Sequence, residues 1–342
     1  VGSVKDLVVT EPSEDDRPGR GRFVFSDRYS VFDWGEMPDH IEGKGMALCL
    51  TTAYFFEKLE ELGIASHYLG LTEKGGARRL TELQFPQQSM EIRLLRVLEP
   101  GKKDGAYDYS AYKKERANFL IPLEIIYRNS LPQGSSVFNR LKAGSLKLEN
   151  LGLSKIPDPG QFLDEPLIDV STKLEARDRY LGWEEAKEIA GLASGELEQI
   201  KKITLRVDDF ITAEVERVGL VNEDGKIELG FDERRNLMLL DAVGTLDECR
   251  FTFESMPVSK EIARIFYRTT SWYQEVEEAK KKDELNWKAL VGSAPPNLPP
   301  GLKDLISQLY RASCNEITRR RWFTGVPSIR EILGKIKAAL SG

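Results

Sequence analysis

Two carboxylates on neighbouring strands, Glu228 and Asp241, are the residues of this chain best suited to hold a metal ion. Asp224, Lys226 and Glu228 recur at every second position, so they share one face of a strand. Asp241 ends the next strand, and the connection Asp232-Glu233-Arg234-Arg235-Asn236 is short enough to bring it beside Glu228. One or two carboxylates completed by phosphate oxygens suit Mg²⁺. A cross-strand ladder of surface charges is the competing reading. Glu124 and Arg128 likewise face one side of the apolar stretch Pro122 to Arg128, where a carboxylate and a guanidinium must be paired or ligand-bound. Lys260 and Arg264, four apart on a helix and following Asp247, Glu248 and Arg250, could grip a phosphate or carboxylate, or simply line a solvated face.

Three weaker signals lie earlier in the chain. Gly43-Lys44-Gly45 precedes a helix, where free amides and a lysine make an anion site, though an ordinary loop-to-helix junction looks the same. Gly2-Ser3-Val4-Lys5 could cover phosphates with a lysine-bearing hairpin, or be a plain strand start. The run Phe23 to Trp34 sets Asp27, Arg28 and Asp33 among aromatic and β-branched residues. Those charges belong either to a surface turn or to a cleft wall.

Composition narrows the chemistry. The chain has 342 residues, 41% hydrophobic and 30% charged, with a net charge of −6, which fits a globular protein with a real core and two or three structural units. The basic runs Lys280-Lys281-Lys282 and Arg319-Arg320-Arg321 are too short to suggest nucleic-acid binding. Two histidines, His40 and His67, leave little room for a histidine zinc site or a Ser–His–Asp relay. Cys49, Cys249 and Cys314 have neither metal-ligand spacing nor a disulfide framework. No run is long enough to span a bilayer and no signal pattern opens the chain, so no membrane partner and a cytoplasmic location are expected. Carboxylates, lysines, arginines and backbone must carry the chemistry.

The elements that would position these groups can be read from periodicity. Strands are expected at Val4–Val9, Arg22–Tyr29, Ser66–Leu71, Ser89–Leu98 and Phe119–Tyr127, with a hairpin at Lys226–Phe231 and Leu237–Ala242. A loop is expected at Glu11–Gly21 and a mobile insertion at Pro100–Lys114. Helices are expected at Met46–Leu62, Trp183–Ala193, Gly195–Val218 and Lys260–Ala279, and again after the proline-rich linker 294–300. Strands and helices do not alternate, so the fold class is α+β with antiparallel sheets and segregated helices.

Taken in order, the charged groups resemble the SAICAR synthetase family, the phosphoribosylaminoimidazole-succinocarboxamide synthases. The motifs that carry the likeness are Ser26-Asp27-Arg28-Tyr29-Ser30-Val31-Phe32-Asp33, Gly43-Lys44-Gly45, Pro122 to Arg128 and Gly134-Ser135. Thr172-Lys173-Leu174-Glu175, Asp224 to Glu228, Asp241 to Arg250, and Lys260 with Arg264 complete the series. Together they cover about three quarters of the chain. Ser3 stands where the family usually has a lysine, Ala242 where it has a glutamate, and Arg128 to Gly134 is one residue longer than in many members. After about residue 272 the likeness ends.

The resemblance implies a two-lobed SAICAR-synthase-like (ATP-grasp/kinase-like) fold: a nucleotide lobe over 1–118, a substrate and metal lobe over 119–272, and a C-terminal helical extension over 273–342. It implies an ATP-dependent carbon–nitrogen ligase of purine biosynthesis that joins carboxyaminoimidazole ribonucleotide to L-aspartate, with ATP and Mg²⁺ and with a homodimer as one possible assembly. Asp33, Lys226 and Asp241 would be catalytic. Val4, Lys5, Val9, Leu120, Glu228 and Asp241 would bind the nucleotide, Glu228 and Asp241 through the metal. Lys44, Arg128, Ser135, Lys173, Asp178, Asp224, Asp247, Arg250, Lys260 and Arg264 would bind the other substrates. Ser3 and Ala242 motivate one alternative, a paralogue acting on another carboxylate; a further alternative is a non-catalytic nucleotide-binding protein whose tail recruits a partner, against which the retained Glu228 and Asp241 weigh.

Overall fold

A computed structural model describes residues 4–341. The expectations for Gly2 and Ser3 lie outside them. Strands β1 (Lys5–Glu11) and β2 (Gly19–Phe25) form a hairpin. The turn is shorter than the composition of 11–21 suggests, because Gly19 and Gly21 already pair with Leu94 and Ile92. Helix α1 (Lys44–Glu61) follows, then β3 (Tyr68–Glu73), β4 (Gly76–Arg78) and β5 (Ser89–Leu94). The five strands make one sheet in the order β1-β2-β5-β3-β4. Helix α1 packs against β2, β3 and β5. Its Leu48, Phe55, Phe56 and Leu59 are buried; each such side chain contributes roughly 1.5–3 kcal/mol.

Residues 100–114, expected as a mobile loop, contain a small hairpin of β6 (Gly101–Lys103) and β7 (Ala106–Asp108) turning at Asp104-Gly105. Gly105 has φ 83°, the left-handed conformation such a turn favours.

The second sheet begins at β8 (Phe119–Ser130), nearly all of it buried. Helix α2 (Ser136–Lys142), β9 (Phe162–Thr172), α3 (Trp183–Ile189) and α4 (Glu196–Glu216) come next. They are followed by β10 (Val221–Phe231), β11 (Leu237–Leu240), β12 (Cys249–Phe253) and β13 (Met256–Pro257). The strand order is β13-β12-β10-β8-β9, and β11 also pairs with β10. Strand β9 has no counterpart among the expected strands, since its exposed first half (Phe162–Glu165) masks the apolar half that follows. His67 N donates to Leu239 O at 2.9 Å and Leu239 N to Ala65 O at 2.9 Å, which ties the chain entering β3 to β11 of the other sheet.

The helix expected over Lys260–Ala279 is two helices, α5 (Glu261–Arg268) and α6 (Ser271–Lys282). Thr270 is extended and caps α6 by accepting from Tyr273 N, which stops α5 and starts a new axis. After the proline segment come α7 (Pro300–Ile317), with Pro300 in its first turn, and α8 (Ile329–Ser341). Helix α7 packs on α1. Among the described residues no helix is long and apolar enough to cross a membrane.

Candidate active site

Antiparallel register lines up three strands at the centre of the second sheet. Asp224 on β10 pairs with Arg128 on β8 and with Arg250 on β12. Its Oδ2 accepts from Arg128 Nη1 at 3.3 Å, and its Oδ1 from Arg250 Nε at 2.7 Å. Arg128 is 1% exposed. Its Nη2 also donates to Asp169 Oδ2 at 3.2 Å and to Ser136 Oγ at 3.3 Å, and its Nη1 to Ser135 Oγ at 3.4 Å. Arg140 bonds the same Asp169. The guanidinium is therefore enclosed by protein partners, while Arg250 is the more exposed cation of the row.

Four residues along β10, the row changes character. Glu228 faces Glu124 on β8 and Leu240 on β11, so Asp241, the residue after Leu240, emerges beside Glu228. Three lysines hold these acids together. Lys173, at the end of β9, bonds Glu228. Lys226 donates to Glu124 Oε1 at 2.9 Å and stands 3.7 Å from Glu248. Lys5, from β1 of the other sheet, lies 2.7 Å from Asp241 Oδ1.

Burial pulls all three lysine pKa values down. The surrounding carboxylates outweigh it and hold them above the ordinary value, so the ammoniums stay charged. The two acids are pushed apart. Burial and the nearby Asp241 drive Glu228 up, whereas for Asp241 the burial penalty is overcome by Lys5 and Lys173 and its pKa falls. Asp178 belongs to the same field: burial, then Glu124, raises it against Lys226.

Asp241 sits at φ 63°, and Phe32 and Asp33 at φ 55° and 62°. Non-glycine residues in the left-handed region are costly and concentrate where side chains must be aimed. The Asp33 side chain is 90% exposed, with Lys280 at 3.7 Å. Asp33 lines a cavity of about 200 Å³ with Val4, Lys226, Asp247, Lys260 and Arg264. A larger cavity of about 800 Å³ runs past Gly134, Arg250 and Ser259.

Several groups sit differently from expectation. Lys44 is engaged inside the protein. It is wholly buried, with its ammonium 2.7 Å from Asp247 Oδ2 and donating to Arg28 O at 3.1 Å. The amides opening α1 are not a free anion site either: Gly43 N and Gly45 N donate to Asp27 at 3.2 and 2.9 Å. Asp27 is thus a helix anchor and Arg28 pairs with Asp6, so both organise the turn, while Asp33 lines the small cavity together with Tyr29, Ser30 and Phe32. Asp247 has both oxygens occupied, the second by Tyr310 Oη at 2.6 Å. Val9 is 55% exposed, whereas Leu120 is buried with Met238 and Leu240 against Leu95 and Leu174. Ala242 is buried and adds no carboxylate.

The sequence pattern assigns no site role to Asp169 or Tyr310, and marks Glu248 only as a neighbour of Asp247 and Arg250. The pattern Leu167-Ile168-Asp169-Val170, an acid inside an apolar run, was the available signal for the first. Nothing in the sequence near Tyr310 points to Asp247, 63 positions away.

The acids suit a hard cation. Among the described residues no three or more His, Cys, Asp or Glu side chains gather as a metal cage. Buried Glu228 and partly exposed Asp241 are nevertheless an oxygen pair whose mutual repulsion a cation would relieve, and Mg²⁺ characteristically takes only one or two protein carboxylates alongside phosphate. The residues fit that ion.

Known proteins similar to the chain point one way. The family model described as SAICAR synthetase matches residues 2–283. A putative phosphoribosylaminoimidazole-succinocarboxamide synthase of Archaeoglobus fulgidus is 54% identical over 341 residues, 99% of this chain and 100% of the relative. The phosphoribosylaminoimidazole-succinocarboxamide synthase of Thermoplasma acidophilum is 32% identical over 310 residues, 88% of this chain and 93% of the relative. In fold, the chain is similar to the SAICAR synthase of Saccharomyces cerevisiae complexed with SAICAR, with a TM-score of 0.61 and 20% identity covering 94% of each chain. It is also similar to a SAICAR synthetase in complex with ADP, with a TM-score of 0.56 and 20% identity over 87% of this chain and 99% of the other.

Proposed function

The chain belongs to the SAICAR synthetase family, and we propose that it is an ATP-dependent ligase of purine biosynthesis that joins carboxyaminoimidazole ribonucleotide to L-aspartate. The observation that carries the reading is the split along β10. An arginine–aspartate row (Arg128, Asp224, Arg250) lies two to four residues along β10 from a carboxylate–lysine cluster (Glu228, Asp241, Lys5, Lys173, Lys226). One end suits an anionic ribonucleotide and the other suits metal-bound phosphates.

A carboxylate is a poor acyl donor because oxide would have to leave. Transfer of the γ-phosphoryl group of ATP to the ribonucleotide carboxylate gives an acyl phosphate and ADP. The aspartate amine then attacks the carbonyl, and phosphate departs with the new amide formed. Little acid–base chemistry is needed, but charge must be neutralised and the reactants aligned. Lys5, Lys173 and Lys226, all held charged, serve as electrostatic groups and not as bases. Glu228 and Asp241 would hold the Mg²⁺ ion, which would supply charge neutralisation at the phosphates. The apolar cluster of Leu120, Met238 and Leu240 offers a surface for a purine base. Arg250, Lys260 and Arg264 face the cavities and would grip the ribonucleotide, with Arg128 and Ser135 fixing the wall behind it. Asp33 would lie against the reacting carboxylate, and Asp178 near the aspartate.

We assign residues up to 118 to the nucleotide lobe, 119–272 to the substrate and metal lobe and 273–342 to the helical extension; the separate sheets support this division. A cytoplasmic location accords with the use of ATP. The test is an assay of the purified protein with ATP, Mg²⁺, the carboxylated ribonucleotide and aspartate, each omitted in turn. ADP release and amide formation should require all four. Amide formation without ATP, or ADP release that ignores the ribonucleotide, would reject the reading.

A further inference from the structure

We propose that Tyr310, on α7 and beyond the segment matched by the family model, is a positioning residue for the ribonucleotide side of the site, acting through Asp247. The inference rests on the ligase reading above for the identity of the ligand, but its geometry stands independently. Tyr310 Oη donates to Asp247 Oδ1 at 2.6 Å while Lys44 Nζ lies 2.7 Å from Oδ2, so the carboxylate is clamped at both oxygens. The backbone oxygen of the same Asp247 accepts from Lys260 Nζ at 3.0 Å. Lys260 lines the small cavity with Lys226, Arg264 and Asp33. The turn that carries Asp247 also leads into Arg250. One buried hydroxyl thus fixes the turn from which two cation contacts are set.

Other contacts bring α7 to this point. Ser307 Oγ donates to Glu42 O at 2.6 Å, one turn before Tyr310 on α7. Leu298 N and Lys303 Nζ meet Asp39 at 2.6 and 3.3 Å. These contacts tie the extension to the segment that opens α1. The Tyr310 contact goes further, reaching the second sheet's own turn. Without the hydroxyl, Asp247 Oδ1 would be buried and unpaired, and the carboxylate would be free to rotate toward Lys260 or Arg264.

The groups acting on Asp247 are Lys44 from α1, Lys260 just before α5 and Tyr310 from α7, and Lys226 from β10, Glu248 and Arg264 of α5 line the same cavity. Burial would raise the Asp247 pKa, but Lys44 and Lys260, then the Tyr310 hydrogen bond, bring it down to about 2. Loss of the hydroxyl moves it upward.

The test uses the full chain. Tyr310→Phe keeps the ring and removes only the hydroxyl. We expect the KM for the ribonucleotide to rise roughly tenfold, as for a lost hydrogen bond to a charged group, with kcat and the ATP KM within about twofold of the parent. The acid limb of the ribonucleotide KM should also move to higher pH. Leu309→Ala is the packing control; Leu309 is buried on the same helix, so its loss should lower Tm without moving the KM or its pH profile. In an Asp247→Asn background the Tyr310→Phe effect should vanish. An unchanged KM in Tyr310→Phe, or the same KM rise in Leu309→Ala, overturns the proposal. Absence of ligation by the parent protein would reject the ligase reading instead. The Asp247 clamp would then still be read from acid unfolding, whose midpoint should rise in Tyr310→Phe; a midpoint no different from the parent's also overturns the proposal.

Discussion

Lys5 on the edge strand β1 places its ammonium 2.7 Å from Asp241, the residue that follows β11, so a cation of one sheet neutralises an acid of the other. This contact joins the two halves of the proposed phosphate site and accounts for the depressed pKa of Asp241 against its burial.

Asp241→Asn should therefore disable catalysis without unfolding the protein. The shape is kept, but an anionic oxygen donor to Mg²⁺ is lost and Lys5 is left without its counter-charge. Changes even one shell outside a metal ligand cost about 10–100-fold in affinity or activity, so a loss of at least ~100-fold in kcat/KM is expected. Rates measured across an Mg²⁺ titration, together with circular dichroism, check this. Near-parental turnover at limiting Mg²⁺ would remove Asp241 from the metal site.

Arg128→Lys should act on the ribonucleotide and not on ATP. The guanidinium spans Asp169 and Asp224 at 3.2 and 3.3 Å. A lysine ammonium cannot reproduce that planar fork. Loss of those buried bonds, each worth roughly 1.5–3 kcal/mol, should lower stability and loosen the wall behind the ribonucleotide, so that its KM rises about tenfold. A fall in ATP affinity instead, with the ribonucleotide KM unchanged, would reassign the residue to the nucleotide side.

Lys44→Met tests a structural role. With the ammonium gone, the buried Asp247 carboxylate loses its closest counter-charge. Breaking one partner of a buried pair typically costs 3–5 kcal/mol. Urea unfolding should show a loss of about that size, and adding Asp247→Asn should recover part of it. Parental stability in Lys44→Met would mean the pair carries no net weight.

A pH prediction comes from Asp208 on α4, which bonds Asn129 and Asn222 beneath the second sheet. It is 1% exposed, and burial, with Asp209 nearby, raises its pKa to about 6 despite hydrogen bonds from Asn129 and Thr212. The folded state therefore holds a proton that the unfolded chain, titrating near 4, has already released. Stability from this group is present below the unfolded pKa and declines as pH rises from about 4 to 6, by roughly 3 kcal/mol in full. Asp208→Asn keeps an oxygen to accept from Asn129, Asn222 and Thr212, so the variant should lose that pH slope and gain stability at pH 8. Thermal unfolding from pH 4 to pH 8 compares the two; equal slopes would contradict the assignment.

The sequence by itself determined the face alternation of β10, and through it the shared side of Asp224, Lys226 and Glu228, because strand period is fixed by covalent geometry. It also determined the proximity of Glu228 and Asp241, because a short connection between two strands leaves one register. The family motifs were legible for the same reason: each lies within a few residues, where spacing alone encodes geometry. Only the tertiary structure decided which charges remain available. Lys44 looks like a ligand group in the sequence and Asp27 reads as either turn or cleft wall; both are used internally, on Asp247 and on the amides opening α1. Arg128 is likewise enclosed by Asp169, on a strand that sequence did not disclose. Tyr310 reaches Asp247 across 63 positions. Local pattern cannot encode such pairings. A buried charge is stable only with a partner, and which partner it finds is fixed when distant helices and strands pack together.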